Sequence, residues 1–174
     1  MQLMQKKVIN YIVIASIILL LMNPTKSIAE DLIKNFEGKK LKAYKDSVGI
    51  WTIGFGSIYN IDENRPVKKG DVISEETALR WLRYEIAQKQ VDIKKLIKMP
   101  LNQNQIDSIT SLVFNIGTKA FKNSTLLKLI NAGTDKKIIA DQFLRWNKGT
   151  IDGKLQVIPG LTNRRILEKN LFLK

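Results

Sequence analysis

Three side chains set close together carry the first chemistry this sequence offers: Glu37, Asp46 and Thr52, within the stretch EGKKLKAYKDSVGIWTIGFG from Glu37 to Gly56. The chain of 174 residues has no Cys and no His. That excludes Cys and Ser-His nucleophiles and any metal centre built on Cys or His ligands, and no cofactor is expected. Acid-base work at neutral pH then falls to carboxylates, Lys or Tyr. Hydrolysis of a glycosidic bond needs two carboxyl groups in unlike surroundings. One is protonated and gives its proton to the leaving oxygen; the other is ionised and activates water or faces positive charge on the sugar. Glu37 lies at the C-terminal end of a predicted helix, where backbone carbonyls oppose negative charge and favour the acid form. Asp46 lies in a predicted hairpin turn open to water, which suits a carboxylate. The Thr52 hydroxyl, on the following strand, could hold a water beside Asp46. Gly54 and Gly56 would leave one face bare, so that a sugar chain could approach the backbone. Each residue also has a plainer reading: Glu37 as an ordinary helix end, Asp46 as turn chemistry, the glycines as bulge residues.

These groups need a frame, and the hydrophobic pattern supplies one. A first helix is predicted over about Ile28 to Phe36, with Ser27 and Glu30 as a capping box and Gly38 as its stop. A β-hairpin follows: Leu41, Ala43 and Tyr44, a turn around Asp46 to Gly49, then the β-branched and aromatic run IWTIGFGSIYN. IDENRPVKKGD reads as loop. Ser74 is placed to cap a long helix over about 75–98 that Pro100 ends, and Asn102 with Gln105 to open another that Gly117 closes. A short helix starts after Ser124 and stops at Gly133, and a further one covers about Asp135 to Trp146. NKGTIDGKLQVIPG is an irregular excursion with a small hairpin at Asp152-Gly153, and a last helix runs from about Leu161. The expected fold class is α+β: a small β-hairpin lobe over about 38–73, a bridging helix over about 75–98 and a larger α-helical lobe over about 99–174. A cleft between the lobes is the default place for a ligand.

Lys and Arg number 29 against 16 Asp and Glu, a formal net charge of +13. Such a surplus favours a polyanionic partner: nucleic acid, an acidic membrane face or an anionic cell-wall polymer. The amino terminus narrows the choice. Lys6 and Lys7 precede an almost uncharged run from Val8 to Met22. At ~1.5 Å per residue that run spans roughly 22 Å, short of the ~30 Å hydrocarbon core, which is signal-peptide length. Pro24 breaks it, and Ser27 and Ala29 are the small residues of a cut site. Residues 1–29 are therefore expected to be a signal peptide or a signal-anchor, with residues 30–174 working beyond the cytoplasmic membrane. Cleavage after Ala29 would remove the Ser27 cap; an uncut segment would tether the protein to the inner membrane through residues 8–22.

At the opening stretch the sequence resembles the phage-type lysozymes, glycoside hydrolase family 24, whose site pattern is Glu, eight residues, Asp, five residues, Thr. Glu37, Asp46 and Thr52 match it in type and spacing, within F-E-G and A-Y-K-D-x-x-G-x-W-T-I-G-x-G. LVFNIG, AFKNSTLLKLIN, FLRW and GLTNRR resemble later segments of the family, so the likeness covers nearly everything after Ala29. The resemblance implies a lysozyme-like fold and hydrolysis of the β-1,4 bond between N-acetylmuramic acid and N-acetylglucosamine in peptidoglycan glycan strands. It implies Glu37 as general acid, with Asp46 and Thr52 positioning or activating the attacking water in an inverting reaction. It also implies that Arg164 pairs with Glu37, and that Phe114, Asn115, Ser124 and Ile58 bind sugar. Phe114 has an alternative as core, Asn115 as a cap near Gly117 and Ser124 as an N-cap. The basic, apolar amino terminus resembles secreted endolysins of lambdoid phages, whose first segment arrests in the membrane and is later released. Ser57 stands where many members have His, no cysteine is present to control release, and the apolar run is rich in Ile and Leu, which bind lipid hard.

Other classes compete with this reading. A cationic protein that disrupts membranes or binds wall polymers without catalysis would suit the charge, but gives no reason for the spacing of Glu37, Asp46 and Thr52. A nucleic-acid binder is suggested only by charge, and the export signal speaks against it. A lytic transglycosylase would cut the same bond without water, leaving an anhydro sugar. The expectation is a monomeric, exported hydrolase with no nucleic-acid partner.

Overall fold

The computed structural model describes residues 27–46, 48–151 and 153–174. The apolar run at Val8 to Met22 and the hairpin residue Asp152 lie outside the described residues. The chain divides into two compact units, one holding Lys40–Ala87 and the other Ser27–Lys39 with Gln88–Lys174. The division falls inside the long helix.

In the first unit, β1 (Lys40–Lys45) pairs antiparallel with β2 (Trp51–Gly54), with Tyr44 opposite Thr52 and Lys45 opposite Trp51. The register is irregular between Lys40 and Tyr44. The chain then turns sharply: Ile53 and Ser57 exchange both backbone hydrogen bonds, at 2.9 Å each. Gly54 and Gly56 in that turn take φ of 69° and 99°, which side chains with a Cβ resist. A Cβ at Gly54 would meet Ala78 Cβ and Ile73 Cδ1, both at 3.5 Å. That is ordinary contact distance, so the positive φ of the turn is what calls for glycine, and the bare face lies against Ala78 and Ile73 rather than open to sugar. β3 (Tyr59–Asn60), at the end of the expected β run, pairs with β4 (Arg65–Pro66), which lies in the expected loop, and Asn64 between them takes φ 50°. Arg65 clamps Asp71 with two bonds, 2.7 and 2.9 Å, and Arg80 clamps Asp62 with two at 2.7 Å. The Arg65 guanidinium, helped by the Lys68 N–H, holds the Asp71 carboxyl at about 2. Ile53, Val67 and Trp81 form the core, with Ala43, Trp51, Ile61 and Ile73 against them.

The second unit begins with α1 (Ile28–Glu37), capped by Ser27, whose side chain accepts from Glu30 N at 3.2 Å. Gly38, at φ 68°, ends it one residue past Glu37. The long helix α2 (Glu75–Leu96) starts at Ser74, which accepts from Thr77 N, and stops short of Pro100. Its end is held from afar: Asn131 donates to Leu96 O at 3.0 Å and accepts from Lys98 N at 2.8 Å. Next, α3 (Gln103–Ile116) opens on the Asn102–Gln105 capping box and closes at Gly117. Its residues from Ile106 to Val113 are all buried, so it runs through the core. An unexpected short helix, α4 (Thr118–Lys122), precedes α5 (Thr125–Asn131), which Ser124 caps by accepting from Leu127 N. The expected single helix before Trp146 is α6 (Lys136–Asp141) continued as a 3₁₀ turn, Gln142–Trp146. The excursion is a hairpin, β5 (Lys148–Ile151) with β6 (Lys154–Val157), and α7 (Pro159–Phe172) ends the fold with Pro at its first position. Ile109, Leu112, Val113, Phe121, Phe143 and Phe172 are the centre of this core. Among the described residues no helix is long and apolar enough to cross a membrane.

Candidate active site

Glu37 owes its place to two local signals and one distant one. The amphipathic face of α1, with Ala29 and Ile33 buried, fixes the rotation of the helix. Gly38 fixes where it stops. At the last residue Glu37 Oε1 accepts from Arg164 Nη1 at 2.7 Å. Arg164 is a buried arginine on α7, 2 % exposed, and each nitrogen of its guanidinium makes one hydrogen bond. Nε donates to Glu168 Oε1 at 3.1 Å, Nη2 to Ser111 O at 3.0 Å, and the group lies 5.4 Å from the centre of the Phe36 ring. The pairing of Glu37 with Arg164 is therefore present.

Behind it stand residues that the sequence reading did not single out. Glu168 Oε1 accepts from Ser111 Oγ at 2.7 Å and Arg165 Nη2 at 2.9 Å, in addition to Arg164. Glu168 Oε2 and Arg165 Nε face each other at 2.7 Å as an ion pair without the alignment of a hydrogen bond. Burial pushes the Glu168 carboxyl above its ordinary range, against the pull of both arginines, and pushes the Arg165 guanidinium below its own. The signal for this cluster was available: Glu168 stands four residues after Arg164 and three after Arg165 on one helix, the spacings at which charges face one another.

Asp46 and Thr52 belong to the first unit and are tied to one peptide segment. Asp46 Oδ1 accepts from Val48 N at 3.0 Å and Ile50 N at 2.8 Å, the bonds of an Asx-type turn. Thr52, 4 % exposed, donates from Oγ1 to Ile50 O at 3.1 Å. The turn reading of Asp46 is thus correct as geometry, and it aligns the carboxylate. The Thr52 proton is already given to a carbonyl, so its oxygen meets any further partner as an acceptor.

The remaining expected residues are spread over both units. Ile58, in the first, is exposed at 55 %. Phe114, on α3, is half-buried with Lys89 Nζ 5.5 Å from its ring centre. Asn115 is exposed, and its Oδ1 accepts from Arg165 Nη1 at 3.0 Å, which leaves its amide N–H groups for other acceptors. Ser124 is buried and caps α5, yet it also borders a recess of about 460 Å³ with Asn123, Gln142, Arg145 and Trp146. Among the described residues no group of His, Cys, Asp and Glu could hold a metal ion.

Comparison with known proteins bears on this arrangement. Residues 34–168 match the family model described as phage lysozyme. The chain is similar to an endolysin of Acyrthosiphon pisum secondary endosymbiont phage 1, 47% identical over 141 residues, covering 81% of this chain and 92% of the relative. A SAR-endolysin of Enterobacteria phage P21 is 31% identical over 137 residues, 79% of this chain and 77% of the relative. Among solved structures, an endolysin from Escherichia coli O157:H7 phage FAHEc1 superposes with a TM-score of 0.76 at 38% identity, over 88% of this chain and 96% of the other.

Proposed function

The chain belongs to the phage lysozyme family, and from that premise we propose how its own residues carry out the family's reaction. It is an endolysin with the lysozyme fold, a glycoside hydrolase that cleaves the β-1,4 bond between N-acetylmuramic acid and N-acetylglucosamine in peptidoglycan. Glu37 is the general acid: Arg164 grips Oε1, and the proton leaves from the second oxygen to the departing glycosidic oxygen. Asp46 is the general base. Its Oδ1 is occupied by two backbone N–H groups, so Oδ2 takes the proton of the attacking water. The Thr52 oxygen accepts the water's second hydrogen, and the lone pair is left for the anomeric carbon. Attack by water on the face opposite the leaving group gives inversion. Asn115 donates from its amide to sugar or acetamido oxygens, Phe114 and Ile58 supply apolar contact, and the recess beside Ser124 takes a substituent of the glycan.

The observation that carries this reading is the pairing of a helix-terminal glutamate with a guanidinium that three further contacts hold still. The test is a digest of isolated walls with the wild type and Glu37→Gln. Wild type should leave reducing N-acetylmuramic acid ends of inverted anomeric form, and the variant should leave the wall intact. Anhydro ends would make the protein a lytic transglycosylase; lysis that persists in the variant would make it a non-catalytic disruptor.

Residues 30–174 are the catalytic domain on this reading, and residues 1–29 carry it across the inner membrane to the wall. The segment stays attached. Ser27 caps α1, Ile28 N donates to Asp107 Oδ2 at 3.1 Å, and Ala29 is fully buried, so a cut after Ala29 would strip the catalytic helix of its first turn. An intact mass of the exported protein tests this: loss of residues 1–29 refutes it.

A further inference from the structure

We propose that Glu168 is a positioning residue for the reaction: through Arg164 and Arg165 it fixes the direction and the charge balance of the group that holds Glu37. This rests on the reading of Glu37 as general acid. The geometry argues for it. One carboxylate oxygen collects Ser111 Oγ, Arg164 Nε and Arg165 Nη2, so the two arginines share one anchor. Arg164 then reaches outward to Glu37, and Arg165 outward to Asn115 and to Trp146 O. The Arg164 guanidinium is planar. With Nε fixed on Glu168 and Nη2 on Ser111 O, the direction of Nη1 toward Glu37 is determined.

The same cluster sets the charge around the acid. Arg164 and Arg165 bring two positive charges and Glu168 one negative charge. Other charged groups stand on α1 and on the elements packed against it, and Lys39 follows its C-terminal end. On α1 itself lie Lys34, Asp31 and the buried Glu30, and Lys34 Nζ stands 3.9 Å from Glu30. On α3, Asp107 accepts from Ile28 N at the opposite end of α1. On α7 only Arg164, Arg165 and Glu168 enter the cluster. Neutralising Glu168 adds one net positive charge in a buried place, which favours the anion of the acid that must give up a proton.

Three variants test this, each assayed for wall hydrolysis as kcat and KM against pH. Glu168→Gln keeps the shape and removes the charge. The alkaline limb of its kcat profile should move about one pH unit lower, with kcat near neutrality reduced about tenfold, because an opposite charge nearby shifts a carboxyl by one to three units. Glu168→Gln with Arg165→Met restores the balance and should bring the limb back. Ser111→Ala removes one donor to Glu168 Oε1 without adding a charge and should move the limb the same way as Glu168→Gln, by a few tenths of a pH unit. This last variant decides the matter if the first does not fold. A scaffold role alone would lower activity and melting temperature without moving the limb. An unmoved limb in both Glu168→Gln and Ser111→Ala overturns the proposal, provided Glu37→Gln is inactive. An active Glu37→Gln overturns the general-acid reading instead.

Discussion

Replacing Arg164 by Met is the perturbation with the most defined cost. Met keeps an unbranched apolar stem against Phe36 and removes three hydrogen bonds: to Glu37 Oε1 at 2.7 Å, Glu168 Oε1 at 3.1 Å and Ser111 O at 3.0 Å. Breaking a buried ion pair by deleting one partner costs ~3–5 kcal/mol. Two features place this case at the lower end. The Glu37 side chain is 24% exposed, so water replaces part of what it loses. Glu168 keeps Ser111 and Arg165 as partners. A loss of about 3 kcal/mol results, which for a chain of this size lowers Tm by roughly 6–12 °C. Turnover should fall further than stability implies, by about 100-fold, because the acid loses the contact that aims it. Calorimetry and wall turbidity on the same preparation give both quantities. A variant that melts within roughly 1 °C of the wild type and clears walls at its rate would mean the guanidinium neither holds the fold nor aims Glu37.

Thr52→Val should reduce kcat about 100-fold with little change in KM, while Thr52→Ser keeps most of the rate, since in the proposed mechanism only the hydroxyl oxygen meets the water; equal rates for Val and Ser would remove Thr52 from the chemistry. Ser27→Ala should lower stability by about 1 kcal/mol, read as a Tm shift, because the side chain that caps α1 is gone. Asp71 is held at about 2 against an ordinary 3.8, so its contribution is fully present above about pH 4 and fades as pH falls toward 2. Unfolding curves of wild type and Asp71→Asn should therefore differ at pH 5 and converge near pH 2; a constant gap would contradict the clamp.

What the sequence made legible is what a few neighbouring residues decide. Ser27, Asn102 with Gln105, and Ser124 cap the helices expected of them, and Gly38 and Gly117 end theirs. The Asp46 turn is equally local. The errors lie where distant parts of the chain decide. The long helix stops at Leu96 rather than running on toward Pro100 because Asn131, from another helix, satisfies its end. Gly54 looked like an opening for sugar, yet its neighbours are Ala78 and Ile73, which no local pattern places there. β4 is two residues long and contains a proline, too little to leave an alternating pattern, so its stretch reads as loop. Of the candidate site, Glu37, Asp46 and Thr52 could be proposed from type and spacing. Arg164 was reached through family likeness alone, and Glu168 with Ser111 depends on a contact across 57 positions of sequence.

The attachment of Asp46 and Thr52 to Ile50 has a consequence for how this hairpin can vary. Both side chains are bound to the peptide groups of that residue, one to its N–H and one to its C=O, while the Ile50 side chain itself is 47% exposed. Genetic drift at position 50 should be nearly free across the amino-acid alphabet, with proline as the exception, because it alone deletes the N–H. The outer surface of the hairpin tip can thus change while the bonds that hold Asp46 and Thr52 stay in place.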